Sequence, residues 1–236
     1  MDDKRAVASW SDSKPYRPRR APAMTPELLG FQITHRAMRG DVRRLADLAT
    51  ELTEGRQSTA PARATAIAGF ITVLCAGIHH HHTMEDQVLW PVIERAAGTE
   101  VDLRGLSDDH SELDPLLTEI NDQATAFSAT RDASALAASL ARLADMLDEH
   151  IEEEERLLFP IIRKYVSVAD WKTVEDAVRK GGNIRVELPK IEQYARPEEL
   201  ARLRELAGPM LMVLLSLLRG GHRRRQRLVF GPLADA

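Results

Sequence analysis

The stretch His81-His82-Thr83-Met84-Glu85-Asp86-Gln87-Val88-Leu89-Trp90-Pro91 is repeated in outline by His150-Ile151-Glu152-Glu153-Glu154-Glu155-Arg156-Leu157-Leu158-Phe159-Pro160, at an offset of 69 residues. Each string is a histidine, a glutamate four residues on, and an apolar run closed by a proline six residues after the glutamate. Residues four apart on a helix stand over one another, so each His–Glu pair shares one face. The aliphatic residues fix which face that is. Ile67, Ile71, Leu74, Ile78, His81, Glu85, Val88 and Val92 follow the three-and-four spacing of an inward stripe, as do Leu136, Leu140, Leu143, Leu147, His150, Glu154, Leu157 and Ile161. Histidine and glutamate are poor core residues unless they hold something, because an unpaired buried carboxylate is expensive.

Two more stripes of the same period complete the set. One is Phe31, His35, Met38, Val42, Leu45, Ala49 and Leu52; the other is Leu103, Leu106, His110, Leu113, Leu117, Ile120, Ala124 and Phe127. Breaks at Gly55–Pro61, Gly98–Thr99 and Thr130–Asp132 are short enough to join antiparallel neighbours. The fold class this predicts is all-α, an antiparallel four-helix bundle over residues 25–165. The repeat divides it into two hairpins, the first helix with the second and the third with the fourth. Pro115 lies inside the third pattern and predicts a kink just after His110.

The flanks differ from the bundle. Residues 1–24 mix Pro15, Pro18 and Pro22 with Lys14, Arg17, Arg19 and Arg20, which reads as a mobile basic lead-in. Thr25-Pro26-Glu27 has the chemistry of a helix start. Residues 166–236 read as a short helical C-terminal extension. It has a helix around Trp171, Val174 and Val178 that ends at Gly181-Gly182. A second opens at Pro197 and runs to about Leu206. An apolar segment, Met210–Leu218, and a basic run, Arg219–Arg227, follow.

Composition narrows the function classes. A formal net charge of −4 gives no global signal for nucleic acid, and the basic ends read first as solvated termini. The single cysteine, Cys75, excludes an intrachain disulfide framework and fits a reducing, cytoplasmic compartment. The first residues hold no apolar run of signal-peptide type, and Met210–Leu218 is about half of what a bilayer span needs. There is no His-Glu-x-x-His, no Glu-x-x-His, no Cys-x-x-Cys and no glycine-rich phosphate loop.

A di-metal site inside the bundle is the reading that remains. Any one inward histidine is equally well explained as a core residue paired with an acid, but four on four seams together with two glutamates are not. His35, His81, Glu85, His110, His150 and Glu154 are the candidate metal ligands. His82 borders the seam one turn before Glu85 and is a possible additional ligand. His79 and His80 point elsewhere; Glu152, Glu153 and Glu155 read as a solvated face, and Cys75 as a small core residue. Mixed imidazole and carboxylate donors with open positions suit iron, with manganese or zinc less favoured.

The arrangement His35 … His81-x-x-x-Glu85 … His110 … His150-x-x-x-Glu154, with its Leu-Trp-Pro and Leu-Phe-Pro closures, resembles the hemerythrin-like (HHE cation-binding) domain family, bacterial type. The resemblance covers about residues 25–165. It implies two non-haem iron ions in an oxo- or hydroxo-bridged centre, with His35 and His81 on one iron, His110 and His150 on the other, and Glu85 and Glu154 bridging. Oxygen-carrying members place two histidines four apart on the third helix, whereas here that register gives Asp114, then Pro115. The second carboxylate is a glutamate at plus four rather than an aspartate at plus five. One iron is thus short of a nitrogen, and His82, Asp114 or water are the alternatives that fill the place. More open coordination implies an oxidoreductase that binds and turns over dioxygen, peroxide or nitric oxide, with a small organic substrate roofed by the extension as an option. The alternative is a non-catalytic oxygen or iron binding, storage or sensing module.

Overall fold

A computed structural model describes residues 24–231, so the basic lead-in over residues 1–23 lies outside the described residues. The described chain is all-helical and contains no strand. Four long rods come first: α1 (Leu29–Thr53), α2 (Pro61–Met84) continued by α3 (Trp90–Ala97), α4 (Arg104–Thr130) and α5 (Ser134–Tyr165). Shorter helices follow: α6 (Val168–Gly181), α7 (Ile184–Tyr194), α8 (Pro197–Ala207) and α9 (Pro209–Phe230). The inward stripes read from the sequence are the faces that pack. Val42, Leu45, Ile71, Leu74, Ile78, Leu113, Ile120, Leu143 and Leu147 are fully buried in one apolar cluster.

α1 packs most extensively against α5, and α2 against α4, with α1 touching α2 only lightly. The hairpins are therefore pairs by connection, while the larger interfaces run first with fourth and second with third. The apolar interior is also interrupted. A second cluster, built from Leu89, Trp90, Ile93, Leu158, Phe159, Ile162 and Trp171, is separate from the first. The buried His and Glu side chains fall between these clusters along each rod: His81–Glu85 lie between Ile78 and Leu89, and His150–Glu154 between Leu147 and Leu158. This is a polar layer between two dry ones.

The prolines that close the repeated strings do not end helices. Pro91 sits in the first turn of α3, and Pro160 is inside α5. Both are exposed, as is Pro115 within the unbroken α4, so the carbonyls they leave without a donor face water rather than core. The chain does depart from α-helix at Glu85–Leu89, one π-helical turn between α2 and α3. Such turns recur at functional sites because they re-aim side chains on one face.

The helix start expected at Thr25-Pro26 is displaced to Leu29. Residues 25–28 instead form a non-helical arm. Leu28 is buried in the second cluster, and the Glu27 carbonyl accepts from Trp171 Nε1 at 3.0 Å. That tie to α6 outcompetes one more turn of α1. Among the described residues only the stretch Pro61–Glu100 is long and apolar enough to cross a membrane by composition, and Ile67, Ile71, Leu74 and Ile78 within it belong to the core.

The extension is clamped to α1 by a buried polar network. Tyr194 donates to Asp41 Oδ1 at 2.7 Å, with Lys190 Nζ 3.8 Å from Asp41 Oδ2 and Arg44 3.7 Å from Oδ1. Burial pushes the Asp41 carboxyl up, and Lys190, Tyr194 and Arg44 pull it back toward ionisation. A Cβ on Gly40 would collide with the Tyr194 ring. Gly40→Ala is therefore expected to cost about 1–3 kcal/mol, since the ring cannot yield without losing Asp41. The test is a thermal melt, in which a domain of this size should fall by about 2–4 °C per kcal/mol.

Candidate metal centre

His35 comes from α1, His81 and His82 from the last turn of α2, and Glu85 from the first residue of the π turn. His110 comes from α4, and His150 and Glu154 from α5. All but His81 are essentially inaccessible, and His81 is 12% exposed. Their donor atoms form two groups, in each of which the atoms lie within 4.8 Å of one another. The first is His35, His81, Glu85 and Glu154; the second is His82, Glu85, His110 and His150. Inside the first, His35 Nε2 is 3.1 Å from His81 Nε2 and 3.4 Å from Glu154 Oε2. Inside the second, His110 Nε2 is 3.2 Å from His150 Nε2 and 3.6 Å from Glu85 Oε2.

The inward atoms lack the partners buried groups need. Both oxygens of Glu85, both of Glu154 and both ring nitrogens of His82 are buried without a hydrogen bond. His81 Nε2 does approach Glu85 Oε1 at 2.8 Å, but without the alignment of a hydrogen bond. Leaving six such atoms unsatisfied costs several kcal/mol, on the order of 1–3 kcal/mol for each group. Cations coordinated here would take up the carboxylate lone pairs and the one His82 ring nitrogen that carries a lone pair, so the residues fit a metal centre.

Three imidazoles are held from behind by carboxylates. His35 Nδ1 donates to Glu155 Oε1 at 2.9 Å, His110 Nδ1 to Asp86 Oδ1 at 3.1 Å, and His150 Nδ1 to Asp109 Oδ2 at 3.0 Å. Each bond fixes the tautomer that turns the Nε2 lone pair inward, the outer-sphere arrangement of metal-binding histidines. Ser107 Oγ donates to the same Asp86 oxygen at 3.2 Å and accepts from Trp90 Nε1 at 3.1 Å, so the His110 support is itself braced. Asp109→Asn and Glu155→Gln are each expected to weaken metal binding by about 10–100-fold while leaving the helices intact. Competition with a chelator of known affinity reads that change, and unchanged affinity in both variants would count against the ligand set.

Protonation in the absence of metal points the same way. Burial pushes His35 down, but Glu154, Glu155 and Glu85 overcome it and hold the imidazole up at about 10. Burial and the neighbouring Glu85 push Glu154 well above the usual carboxylate range. Glu85 stays well below it because His81, His35 and His82 outweigh its burial. Burial lowers His82 and His150, which are neutral and ready to ligate. Near neutrality His35 thus holds a proton, and Glu154 is the carboxylate of the site most disposed to hold one, where cations would otherwise lie. Loading must expel such protons, so affinity should rise with pH and fall on acidification. Titrating metal into the metal-free protein in weak buffer should acidify the solution, and calorimetry in buffers of different ionisation enthalpy counts the protons.

A family model for the hemerythrin HHE cation binding domain matches residues 32–162, more than half of the chain. The chain belongs to the hemerythrin HHE cation-binding family. No curated protein and no solved structure matched it.

For this HHE domain the structure brings together all six expected residues and adds His82. The sequence left the missing nitrogen to His82, Asp114 or water. Asp114 turns outward, where it accepts from the exposed His79 at 2.8 Å, and His82 turns inward. Consecutive residues flank one seam, so His81 serves one group and His82 the other, with Glu85 between them. Glu85 belongs to both groups, as a bridging carboxylate must. Glu154 groups only with His35 and His81; its Oε2 is 3.9 Å from His150 Nε2. Of the two glutamates expected to bridge, Glu85 belongs to both donor groups and Glu154 to the first alone. Glu155 is corrected from solvated face to support of His35, while Glu152 and Glu153 are exposed as expected. His80 is half-buried against Gly181 of α6, and Cys75 is a buried core thiol pushed up to about 12 by burial.

The aromatic side chains complete the enclosure. Phe31 lies 4.4 Å from the His35 ring and about 5.7–5.9 Å from Phe159 and Trp171, and Trp90 stacks on His110 at 5.9 Å. A pocket of about 560 Å³ opens beside His35, lined by Arg36, Arg39, Asp148 and Glu155 on one side and by Tyr194, Arg196 and Glu199 of the extension on the other.

Proposed function

We propose that this chain is a non-haem di-iron protein of the hemerythrin four-helix-bundle type that binds and turns over dioxygen, hydrogen peroxide or nitric oxide. The observation that carries the reading is the pair of four-donor groups sharing Glu85 inside an apolar interior. His35, His81 and Glu154 would hold one iron, and His82, His110 and His150 the other. The donor set of five imidazoles and two carboxylates, with no thiolate, favours iron over a structural zinc site. Two iron ions bound there would supply the electrons and the Lewis acidity for the reaction, since no side chain of the site is itself redox-active.

The chain's own part is positioning and exclusion. Glu155, Asp86 and Asp109 hold protons on the outer nitrogens of His35, His110 and His150 and so keep the inner nitrogens free. Phe31, Phe159, Trp171 and Trp90 keep bulk water from the donors, which strengthens every charge interaction inside. Glu155 is 33% exposed at the pocket beside His35, which puts a carboxylate between solvent and the buried layer. The pocket is also the place for a small organic substrate, with Tyr194, Arg196 and Glu199 of the extension supplying one side of its wall. The lone, buried Cys75 fits a reducing compartment, and we place the protein in the cytoplasm.

Recruitment of His82 favours one other reading. It restores the nitrogen that the third helix lacks, and with it the donor count that reversible oxygen binding or sensing uses. One experiment separates the two. Iron-loaded protein should contain about two irons per chain and show the absorption of a bridged di-iron centre. Catalytic consumption of added peroxide, nitric oxide or oxygen with a reductant supports turnover. A spectrum that changes with oxygen and is restored by evacuation, without consumption, supports carriage or sensing. Iron-free protein that binds zinc alone contradicts both.

A further inference from the structure

α9 presents two unlike faces. Its inner side, Leu215, Gln226, Val229 and Phe230, is buried against the rest of the chain. At about 100° per residue, Met210, Val213, Leu217, Gly220, Gly221, Arg224 and Leu228 fall together on the opposite side. The first half of that side is bare apolar surface: Met210 is 79% exposed, Val213 60% and Leu217 74%, with Leu206 of the neighbouring α8 at 51%. The second half is cationic. Arg219 is taken up by Glu192 of α7, and Arg223, Arg224, Arg225 and Arg227 are exposed. The 22 residues of α9 contain no carboxylate.

We propose that this face of α9 docks the protein on an anionic lipid surface. Aliphatic side chains and a methionine this exposed are expensive in water and favourable at the headgroup boundary, where an amphipathic helix lies in the plane of the membrane. Arg224, which continues the same side, and the exposed arginines that flank it then meet lipid phosphates. The chain as a whole carries a net charge of −4, so the attraction is local to this helix. A second copy fits less well, because α9 offers no acid to receive its partner's arginines. Nucleic acid would use the arginines and leave Met210, Val213 and Leu217 uncovered. The apolar half is too short to span, so the helix rests on the surface and does not enter as a transmembrane element. This placement is independent of the metal reading.

The test is co-sedimentation of the full chain with vesicles of phosphatidylcholine alone and of phosphatidylcholine with phosphatidylserine, alongside light scattering in solution. The expected result is binding to the anionic vesicles, weakened by salt, and little binding to the neutral ones. Leu217→Asp, and separately Arg224→Glu with Arg225→Glu, should each weaken it by roughly tenfold or more. Both changes are at exposed positions, so helicity and metal content should stay at wild-type levels. Absence of binding to anionic vesicles at low and physiological salt overturns the proposal, as does binding that neither variant alters. A dimer that Leu217→Asp dissociates, in a protein that ignores vesicles, assigns the face to a second copy instead.

Discussion

Glu85→Ala should empty both metal positions at once. Each of its carboxylate oxygens faces a different donor group, and no other described residue belongs to both. Its loss takes one of four donors from each group and removes the negative charge that lies between them. Removing an outer-sphere partner typically costs about 10–100-fold in metal affinity, so removing this shared ligand should exceed about 100-fold for both ions. Metal analysis after dialysis should fall from about two equivalents per chain to near none. Because bound metal contributes its free energy to the folded state, the metal-dependent part of the melting temperature should vanish with it. Glu154→Ala is the contrast. Glu154 belongs to the first group alone, so this variant should lose the ion held by His35 and His81 and keep the one held by His82, His110 and His150. Equal metal loss from both positions in the Glu154 variant would show that it bridges after all.

His82→Ala carries the second large effect. The third helix offers Asp114 and Pro115 in place of another nitrogen, and Asp114 is turned away to His79. His82 is buried with both nitrogens unpartnered, stacked at 4.2 Å on the His110 ring. Its removal leaves the second group with His110, His150 and the shared Glu85. Stoichiometry should drop to about one ion per chain, with affinity at the damaged position down by at least about 10–100-fold. His79→Ala, three residues earlier in the same histidine run, should change nothing, because His79 is exposed and bonded only to Asp114 in the described residues. Two variants of one tetrad with opposite outcomes would be hard to explain by general loss of folding. Full metal content in the His82 variant would return water to the list of candidates for that place.

The main candidate ligands were legible because a bundle seam is a demanding background. Aliphatic residues set the register of all four stripes independently, and His35, His81, Glu85, His110, His150 and Glu154 were the polar exceptions to it. His82 was harder, since it only borders the stripe. What draws it in is tertiary: the π turn at Glu85–Leu89 and the facing His110 ring. The supporting carboxylates were harder still. Asp86, Asp109 and Glu155 are ordinary helix-surface acids among 36 in the chain, and only the packing of a neighbouring helix shows which of them meets an imidazole. In Glu152–Glu155 one residue is a ligand candidate, the next supports a histidine, and two are solvated; spacing separated the first and missed the second.

The extension was read least well, for a related reason. α7 carries Pro189 within its span and has a short apolar pattern, so its helix depends on the Asp41–Tyr194–Lys190 clamp. α9 was divided in the sequence into an apolar segment and a basic run, yet it is one helix from Pro209 to Phe230. The division marks a change in what its outer side offers. Within the apolar segment Leu215 lies inside and Met210, Val213 and Leu217 outside.

The central claim is that two ions share Glu85 within the buried polar layer. Anomalous diffraction at the iron absorption edge, from crystals of iron-loaded protein, tests it most directly. The account predicts two peaks, one beside His35, His81 and Glu154 and the other beside His82, His110 and His150, with the Glu85 carboxylate between them. A single peak, or iron located anywhere outside these seven side chains, would contradict it.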